Sequence, residues 1–185
     1  MYENVNNAIK VLKKAMEIDG VDPVKGLPEE LFIFSTTLVP IVNIDLFVTN
    51  DKHQLLLSWR DDEYHGKGWH IPGGCVRLKE RLEDRVVKTA QKELGVPIDY
   101  DSTPLAVREI IEPDYRPALA NQRERCHNIS FLYSCSIKRG YEVEKIVDGV
   151  ELRWFTSLPT ELLKTHKELY WDIIENYFKE EQYND

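Results

Sequence analysis

Hydrophobic residues near the start of the chain recur at helical spacing. They are Val5, Ala8, Ile9, Leu12, Ala15 and Met16, and the opposite positions carry Lys10, Lys13 and Lys14. This spacing predicts an amphipathic helix. Gly20 predicts its end, and the Gly/Pro content of residues 20–28 indicates a linker.

The next part of the chain has the pattern of strands. The run from Leu38 to Val48 is rich in β-branched and aromatic residues and predicts a buried strand, and a turn at residues 50–53 leads to a returning strand from Gln54 to Trp59. A polar loop is predicted at residues 61–68, followed by a short extended segment, Trp69 to Pro72, that Gly73 and Gly74 interrupt. Three more strands are predicted at Leu105–Ile111, Ile129–Ile137 and Val150–Phe155.

Two further helices complete the pattern. Glu80 to Leu94 has helical periodicity and is followed by Gly95, a common residue after a helix C-terminus. A C-terminal helix is predicted from Ser157 to Glu180. The order of elements predicts one α/β domain with a mixed sheet covered on both faces.

Composition and charge narrow the functional classes. The chain has 185 residues, of which 42% are hydrophobic and 30% charged, and its formal net charge is −8. A negative charge argues against non-specific binding of nucleic acid or of anionic membranes. No apolar run approaches the roughly 20 residues of a membrane span. Three irregularly spaced cysteines (75, 126 and 135) indicate reduced thiols, so we expect a soluble cytoplasmic protein.

The segment from Gly68 to Val96, GWHIPGGCVRLKERLEDRVVKTAQKELGV, carries the candidate chemistry. It resembles the Nudix box, G-x5-E-x7-R-E-U-x-E-E-x-G-U, where U is a bulky aliphatic residue. Five fixed positions are in register, namely Gly74, Glu80, Glu93, Gly95 and Val96. The departures are Lys88 for arginine, Thr89 and Lys92 for glutamates, and Ala90 for the aliphatic residue. The resemblance to Nudix hydrolases implies an α/β/α sandwich over residues 27–185, with residues 1–26 as an added helix and linker.

The altered box is similar to that of GDP-mannose mannosyl hydrolases, and the likeness extends over Leu27 to Leu163. It implies hydrolysis of a nucleotide sugar such as GDP-mannose at the anomeric carbon, which releases the nucleoside diphosphate and the free sugar. Two alternatives remain. One is a conventional pyrophosphohydrolase that attacks phosphorus, and the other is a silent domain that only binds nucleotide sugars.

The box helix carries fewer carboxylates than the Nudix pattern, which predicts a metal site with fewer protein ligands. Positions 89, 92 and 93 share one helix face, and only Glu93 is a carboxylate. One carboxylate with a loop carbonyl suits a single Mg²⁺ or Mn²⁺ that keeps several waters. The resemblance assigns the carbonyl to Gly73. It places Asp148 at a third ligand position and Gly149 where the related enzymes have their catalytic His.

Other polar residues are candidates for substrate binding or catalysis. By resemblance, Asp45 and Arg60 match two active-site residues; a buried carboxylate needs a partner, and a guanidinium can clamp a diphosphate. Glu80 would support the loop or act on a metal-bound water. The further candidates are Arg77 as a phosphate contact, Lys88 as a phosphate contact or a structural residue, and His127 as a catalytic or structural residue.

Three groups of residues have less specific predictions. The polar loop at residues 112–126 would cover a nucleotide base with Tyr115, Arg116, Arg123 and Arg125, or would simply be solvated, and a carboxylate of Glu112 or Asp114 is an alternative general base. His65 and His70 are near the box in sequence only. The N-terminal helix and the Tyr170-Trp171 pair indicate packing or a homodimer interface.

Overall fold

The computed structural model describes residues 2–62, 66–111 and 127–180. The helices are α1 (Glu3–Ile18), α2 (Glu29–Thr36), α3 (Leu82–Leu94) and α4 (Lys164–Glu180). The strands are β1 (Ile41–Thr49), β2 (Leu55–Asp62), β3 (Gly66–His70), β4 (Gly73–Cys75), β5 (Ile98–Tyr100), β6 (Ala106–Ile111), β7 (His127–Ile137), β8 (Ile146–Val147) and β9 (Val150–Phe155).

Strand β1 lies at the centre of a mixed sheet. Its whole length pairs in parallel with β7, and its other edge pairs with β4 and then with β2 through the hairpin at Thr49 and Leu55. In the described residues the sheet order is β5-β7-β1-β2-β9-β8, with β3 on β2, β4 on β1 and β6 on β7. This arrangement brings the loop before α3 against the middle of the sheet.

The side chains of β1 alternate between two cores, as the period of a strand requires. Ile44, Leu46 and Val48 pack with α3, whereas Phe47 packs with α4. Helices therefore cover both faces of the sheet, which confirms the predicted α/β/α sandwich with its extra N-terminal helix. Asp45, between Ile44 and Leu46, lies on the α4 face.

Helix α2 was missed by the sequence analysis because it has no amphipathic period. Its last turn carries Ser35 and Thr36, whose hydroxyls donate to the carbonyls of Phe32 and Ile33. Such local bonds end helices. The predicted strand consequently begins at Ile41, three residues later than Leu38.

The C-terminal helix begins at Lys164 and not at Ser157. The preceding residues are extended against β3: the Trp69 N–H donates to the Glu161 carbonyl over 2.8 Å, and the Leu163 N–H donates to the Trp69 carbonyl over 2.9 Å. Gly68 permits this contact, because a Cβ there would lie 2.6 Å from the Glu161 oxygen. The segment thereby fixes the start of α4 beside the site described next.

Three expectations from the sequence can be compared with the structure of the described residues. Within them, no helix is long and apolar enough to cross a membrane. Of the described cysteines, Cys75 and Cys135 are not joined to each other by a disulfide bond. Gly73 and Gly74, which were predicted to interrupt an extended segment, instead form strand β4 with Cys75.

Candidate active site

Helix α3 carries the box and packs one side against the sheet. Val86, Ala90 and Leu94 are buried in the core, and Gly95 ends the helix with a φ of 71°. Thr89 and Glu93 lie on the side that faces the Gly73-Gly74 strand. The helix therefore presents its remaining polar box positions to β4.

Glu80 is held by a network of donors at the start of the box. Its side chain is 4% exposed and forms ion pairs with Arg85 at 2.7 Å and with Lys88 at 2.9 Å. It also accepts the backbone N–H of Arg77 over 2.9 Å. Burial alone acts to raise the pKa of Glu80, but these hydrogen bonds and the charge of Arg85 lower it from 4.5 to about 2. Glu80 is thus an ionised carboxylate that fixes the loop to the helix.

Lys88 and Arg77 are engaged within the protein. The Lys88 ammonium contacts Glu80, which supports the structural alternative for this residue at the box-arginine position. The Arg77 guanidinium donates to the backbone carbonyl of Lys25 in the N-terminal linker. Substrate binding by Arg77 or by Lys88 stays a prediction.

A large cavity lies between α3, the loop after β4 and the segment before β1. We call it the box cavity; its volume is about 910 Å³. Its α3 side is formed by Arg85, Thr89, Lys92 and Glu93. The Glu93 side chain is 13% exposed, and the Lys92 ammonium lies 2.9 Å from its Oε1. The predicted metal carboxylate therefore faces a cavity of ligand size with an ammonium group beside it.

The carbonyl of Gly73 is not used by the β1–β4 ladder. The Leu46 N–H donates to Pro72 O and the Val76 N–H donates to Val42 O, each over 2.8 Å. Hydrogen-bonded pairs alternate in an antiparallel ladder, so the Asp45–Gly73 pair between them is a non-hydrogen-bonded pair. The polar groups of Gly73 point away from β1. This carbonyl is available to a ligand, and Gly73 lines the box cavity with Glu93.

Thr89 provides a third oxygen. Among the described residues, its Oγ1 is the buried side-chain polar atom that has no hydrogen-bond partner. It lies close to Gly74, where an added Cβ would be 3.0 Å away. A carboxylate, a carbonyl and a hydroxyl suit one hard cation such as Mg²⁺. No three His, Cys, Asp or Glu side chains of the described part of the chain form a ligand set, so water and substrate would complete the coordination.

The structure places Asp148 in a turn, and the metal-ligand role that the resemblance assigns to it stays a prediction. Asp148 and Gly149 are the two turn residues between β8 and β9, with φ values of 49° and 81°. Asp-Gly with both φ positive is the favoured composition of a two-residue hairpin turn. Asp148 is exposed and lines neither cavity described here. Turn geometry explains this pair of residues without a metal.

A second, smaller cavity of about 80 Å³ lies on the other side of β4. We call it the inner cavity. Asp45 and Arg60 both line it, and Gly73, Gly74 and Cys75 line both cavities. An added Cβ at Gly73 would overlap Oδ1 of Asp45, so glycine is required for this close approach. The two cavities therefore meet at β4.

Asp45 is 6% exposed, and side chains of one helix and one strand hydrogen-bond to its carboxyl group. The Tyr170 hydroxyl of α4 donates to its Oδ2 over 2.5 Å, and Ser130 of β7 also hydrogen-bonds to the carboxyl group. Burial raises the pKa of Asp45 from 3.8 to about 6, although these two hydrogen bonds and the charge of Arg60 act to lower it. Arg60 also lies 3.5 Å from Asp62, so it is partly neutralised.

Two histidines line the inner cavity, and the sequence analysis gave neither a role there. His166 Nδ1 accepts the Ile71 N–H over 2.9 Å, which leaves the ring proton on Nε2 in the neutral form. His70 Nδ1 lies 2.8 Å from the Ser58 carbonyl. His166 was not detectable from sequence, because it comes from α4, far from the box in the chain. His70 was expected to be near the box in sequence only, and its place in the inner cavity corrects that expectation.

The remaining candidates lie elsewhere. His127 Nε2 is 2.7 Å from Glu109 Oε1 across the β6–β7 pair, and it lines neither cavity. This position supports the structural alternative for His127, and its catalytic role stays a prediction. The predictions for His65, Glu112, Asp114, Tyr115, Arg116, Arg123 and Arg125 fall outside the described residues.

Solved structures share this fold. A MutT NUDIX hydrolase from Burkholderia pseudomallei is 24% identical with a TM-score of 0.55, over 70% of this chain and 95% of that one. A MutT protein from Methanosarcina mazei Go1 is 16% identical with a TM-score of 0.54, over 77% of this chain and 96% of that one. At these identities the similarity shows the fold alone.

A curated relative matches part of the sequence. The low-salt glycan biosynthesis protein Agl8 of Haloferax volcanii is 31% identical over 80 residues, which are 43% of this chain and 51% of the relative. The match thus spans about half the length of that protein. The NUDIX domain family model matches residues 39–177, which include both cavities' strands and the whole box. The chain therefore belongs to the Nudix hydrolase family, whose members generally act on nucleoside-diphosphate-linked substrates with divalent metal ions.

Proposed function

We propose that the protein hydrolyses a nucleotide sugar, with GDP-mannose as the first candidate, and releases the nucleoside diphosphate and the free sugar. The observation that carries this proposal is the reduced metal face of α3, where Glu93 is the one carboxylate among positions 89, 92 and 93 and lies beside the Lys92 ammonium. The partial match to a protein named for glycan biosynthesis supports a sugar-linked substrate.

One Mg²⁺ or Mn²⁺ fits the box cavity. Glu93, the Gly73 carbonyl and the Thr89 hydroxyl would hold it, since all three residues line that cavity. When bound, the ion neutralises charge that develops on the diphosphate leaving group. Neutralising this charge requires fewer metal ions than attack at phosphorus, which generally relies on several metals in this family. A single ion is therefore compatible with cleavage of the glycosidic C–O bond.

Lys92 and Arg60 are the positively charged side chains that we propose act on the diphosphate. Lys92 lies in the box cavity and Arg60 in the inner cavity, on the two sides of β4. Cations placed where negative charge develops stabilise a transition state. We propose that they bind the diphosphate from opposite sides of the Gly73-Gly74 strand.

Asp45 is our candidate for the general base that Gly149 cannot provide. Tyr170 holds Oδ2, and Oδ1 faces Gly73 at the junction of the cavities. The inner cavity of about 80 Å³ has space for a few waters. In the proposed step a water oxygen bonds to the anomeric carbon and its proton passes to Asp45. The C–O bond breaks, and its electron pair goes to the diphosphate oxygen.

Two alternatives are separated by direct assays. Family membership favours a conventional pyrophosphohydrolase, whereas the Lys92–Glu93 ion pair favours a silent domain that binds without turnover. A panel of nucleotide sugars and dinucleotides is incubated with Mg²⁺, and the products are separated by chromatography. The proposal predicts nucleoside diphosphate and free sugar. Monophosphate products would identify a pyrophosphohydrolase, and binding without products would identify a silent domain.

A further inference from the structure

The box cavity has a wall that the family match does not include. The match begins at residue 39, but the cavity is also lined by the preceding segment, Pro23 to Val39, which we call the N-terminal wall. In α2, the residues that line the cavity include Glu29, Phe32, Ile33 and Thr36. This spacing of three and four places one helix face toward the cavity. The wall is therefore an ordered addition to the common fold at its catalytic face.

The wall is attached to the box loop. Arg77, which follows β4 and Val76, donates to the Lys25 carbonyl and crosses the linker at Gly26. Gly26 has a φ of 132°, and an added Cβ would overlap the guanidinium group. The contact requires a glycine at this crossing. The arginine that the sequence suggested as a phosphate contact thus fixes the N-terminal wall over the cavity.

The two sides of the cavity differ in chemistry. Leu27, Phe32 and Ile33 form an apolar part of the N-terminal wall with one aromatic ring, beside the polar Glu29 and Thr36, whereas Thr89, Lys92 and Glu93 make the opposite side polar. A volume of about 910 Å³ is in the range of pockets that enclose whole small molecules. A ligand with an anionic diphosphate at one end and a flat apolar ring at the other matches both sides.

We propose that the N-terminal wall is the subsite for the nucleobase of the substrate, with the Phe32 ring stacked on the base. This inference rests on the proposed function and adds the part of the substrate that the wall recognises. The diphosphate lies at Lys92 and Glu93, and the base extends across the cavity to α2. Recognition of the base then depends on residues outside the family match.

The test is calorimetric binding of GDP and of inorganic diphosphate, both with Mg²⁺, to the full chain and to variants of α2. Phe32→Ala should weaken GDP binding roughly tenfold, the size expected for loss of one base-stacking contact, and leave diphosphate binding unchanged. Phe34→Ala is the matched control, because Phe34 is 52% exposed on the same helix. Phe32→Leu keeps apolar volume but removes the ring, and it replaces Phe32→Ala if thermal unfolding shows that the alanine variant does not fold.

The outcomes distinguish a failure of the nucleobase subsite from a failure of the proposed function. Equal GDP affinity in the wild type and both Phe32 variants would overturn the nucleobase subsite and leave the proposed function intact. If the wild type bound diphosphate as tightly as GDP, no base would be recognised, and both the subsite and the nucleotide substrate would be rejected. Weaker GDP binding in Phe34→Ala by the same factor as in Phe32→Ala would also overturn the subsite.

Discussion

The hydroxyl of Tyr170 donates a hydrogen bond to Oδ2 of Asp45 over 2.5 Å, and it connects two residues that are 125 positions apart. Asp45 belongs to the central strand, and Tyr170 belongs to the C-terminal helix. Both side chains are buried, so neither group can exchange this partner for bulk water. The bond makes α4 part of the candidate active site.

Tyr170→Phe should lower both stability and activity. The substitution leaves a buried carboxyl group without one of its donors, and hydrogen bonds to charged groups contribute about 1.5–3 kcal/mol. We expect the free energy of unfolding, measured by urea titration near neutral pH, to fall by about that amount. Tyr141→Phe is the control, since Tyr141 is 53% exposed and should change it by less than about 0.5 kcal/mol. Equal stability of Tyr170→Phe and the wild type would refute a functional bond.

Glu80→Gln should destabilise the protein in a pH-dependent way. The folded pKa of about 2 lies below the ordinary 4.5, so the ionised group stabilises the fold above pH 4.5 and this contribution is lost as pH falls toward 2. Removing its charge leaves the buried Arg85 uncompensated, which costs roughly 3 kcal/mol near neutral pH. Urea unfolding at several pH values should show wild type and Glu80→Gln converging as the pH falls.

Glu83→Gln controls for the loss of a carboxylate near the same helix. Glu83 pairs with Arg81, and their side chains are 61% and 78% exposed. Solvent screens such a pair, so the change should be under about 1 kcal/mol. A Glu80→Gln variant that lost no more stability than Glu83→Gln would show that the buried network does not fix the box loop.

Long periodic segments made much of the fold predictable. The strand from Val150 to Phe155 and the end of the box helix at Gly95 agree with the structure, because hydrophobic alternation and a left-handed glycine are local signals. Helix α2 and the late start of α4 were not predictable. The first has no apolar period, and the second depends on the pairing of Glu161–Leu163 with Trp69, which is a long-range contact.

The candidate site was predictable where a motif fixed the register. Glu93 and Gly73 could be placed together from the box, and Asp45 could be identified as a buried carboxylate in need of a partner. Its partner Tyr170 could not be identified, since nothing in the sequence relates α4 to β1. The turn at Asp148 and Gly149 could have been predicted from this local Asp-Gly pair, whereas the ligand role of Asp148 rested on an alignment and stays a prediction.

Glu93→Gln should abolish Mg²⁺-dependent activity. It removes the single carboxylate that α3 presents with Gly73 and Thr89 to the box cavity. Activity and Mn²⁺ binding, followed by electron paramagnetic resonance, should both be lost, while thermal stability should change little. Glu83→Gln again serves as the control, because Glu83 does not line the cavity. Wild-type Mn²⁺ affinity in Glu93→Gln would exclude the single-ion site.

Asp148→Asn should leave the metal titration unchanged. Asp148 is exposed in the β8–β9 turn, and Asn-Gly suits the same positive-φ geometry as Asp-Gly. Mn²⁺ titrations of the variant and the wild type should superimpose, with stability equal within about 0.5 kcal/mol. A weaker titration in Asp148→Asn would identify Asp148 as a ligand.

The position of bond cleavage tests the central claim most directly. With one α3 carboxylate, Glu93, at the box cavity and with Lys92 and Arg60 as cations, we expect water to attack the anomeric carbon. The nucleotide sugar that the panel identifies is hydrolysed with Mg²⁺ in ¹⁸O-enriched water, and the products are analysed by mass spectrometry. The account predicts label in the free sugar and none in the nucleoside diphosphate. Label in a nucleoside monophosphate or in a sugar phosphate would show attack at phosphorus and contradict it.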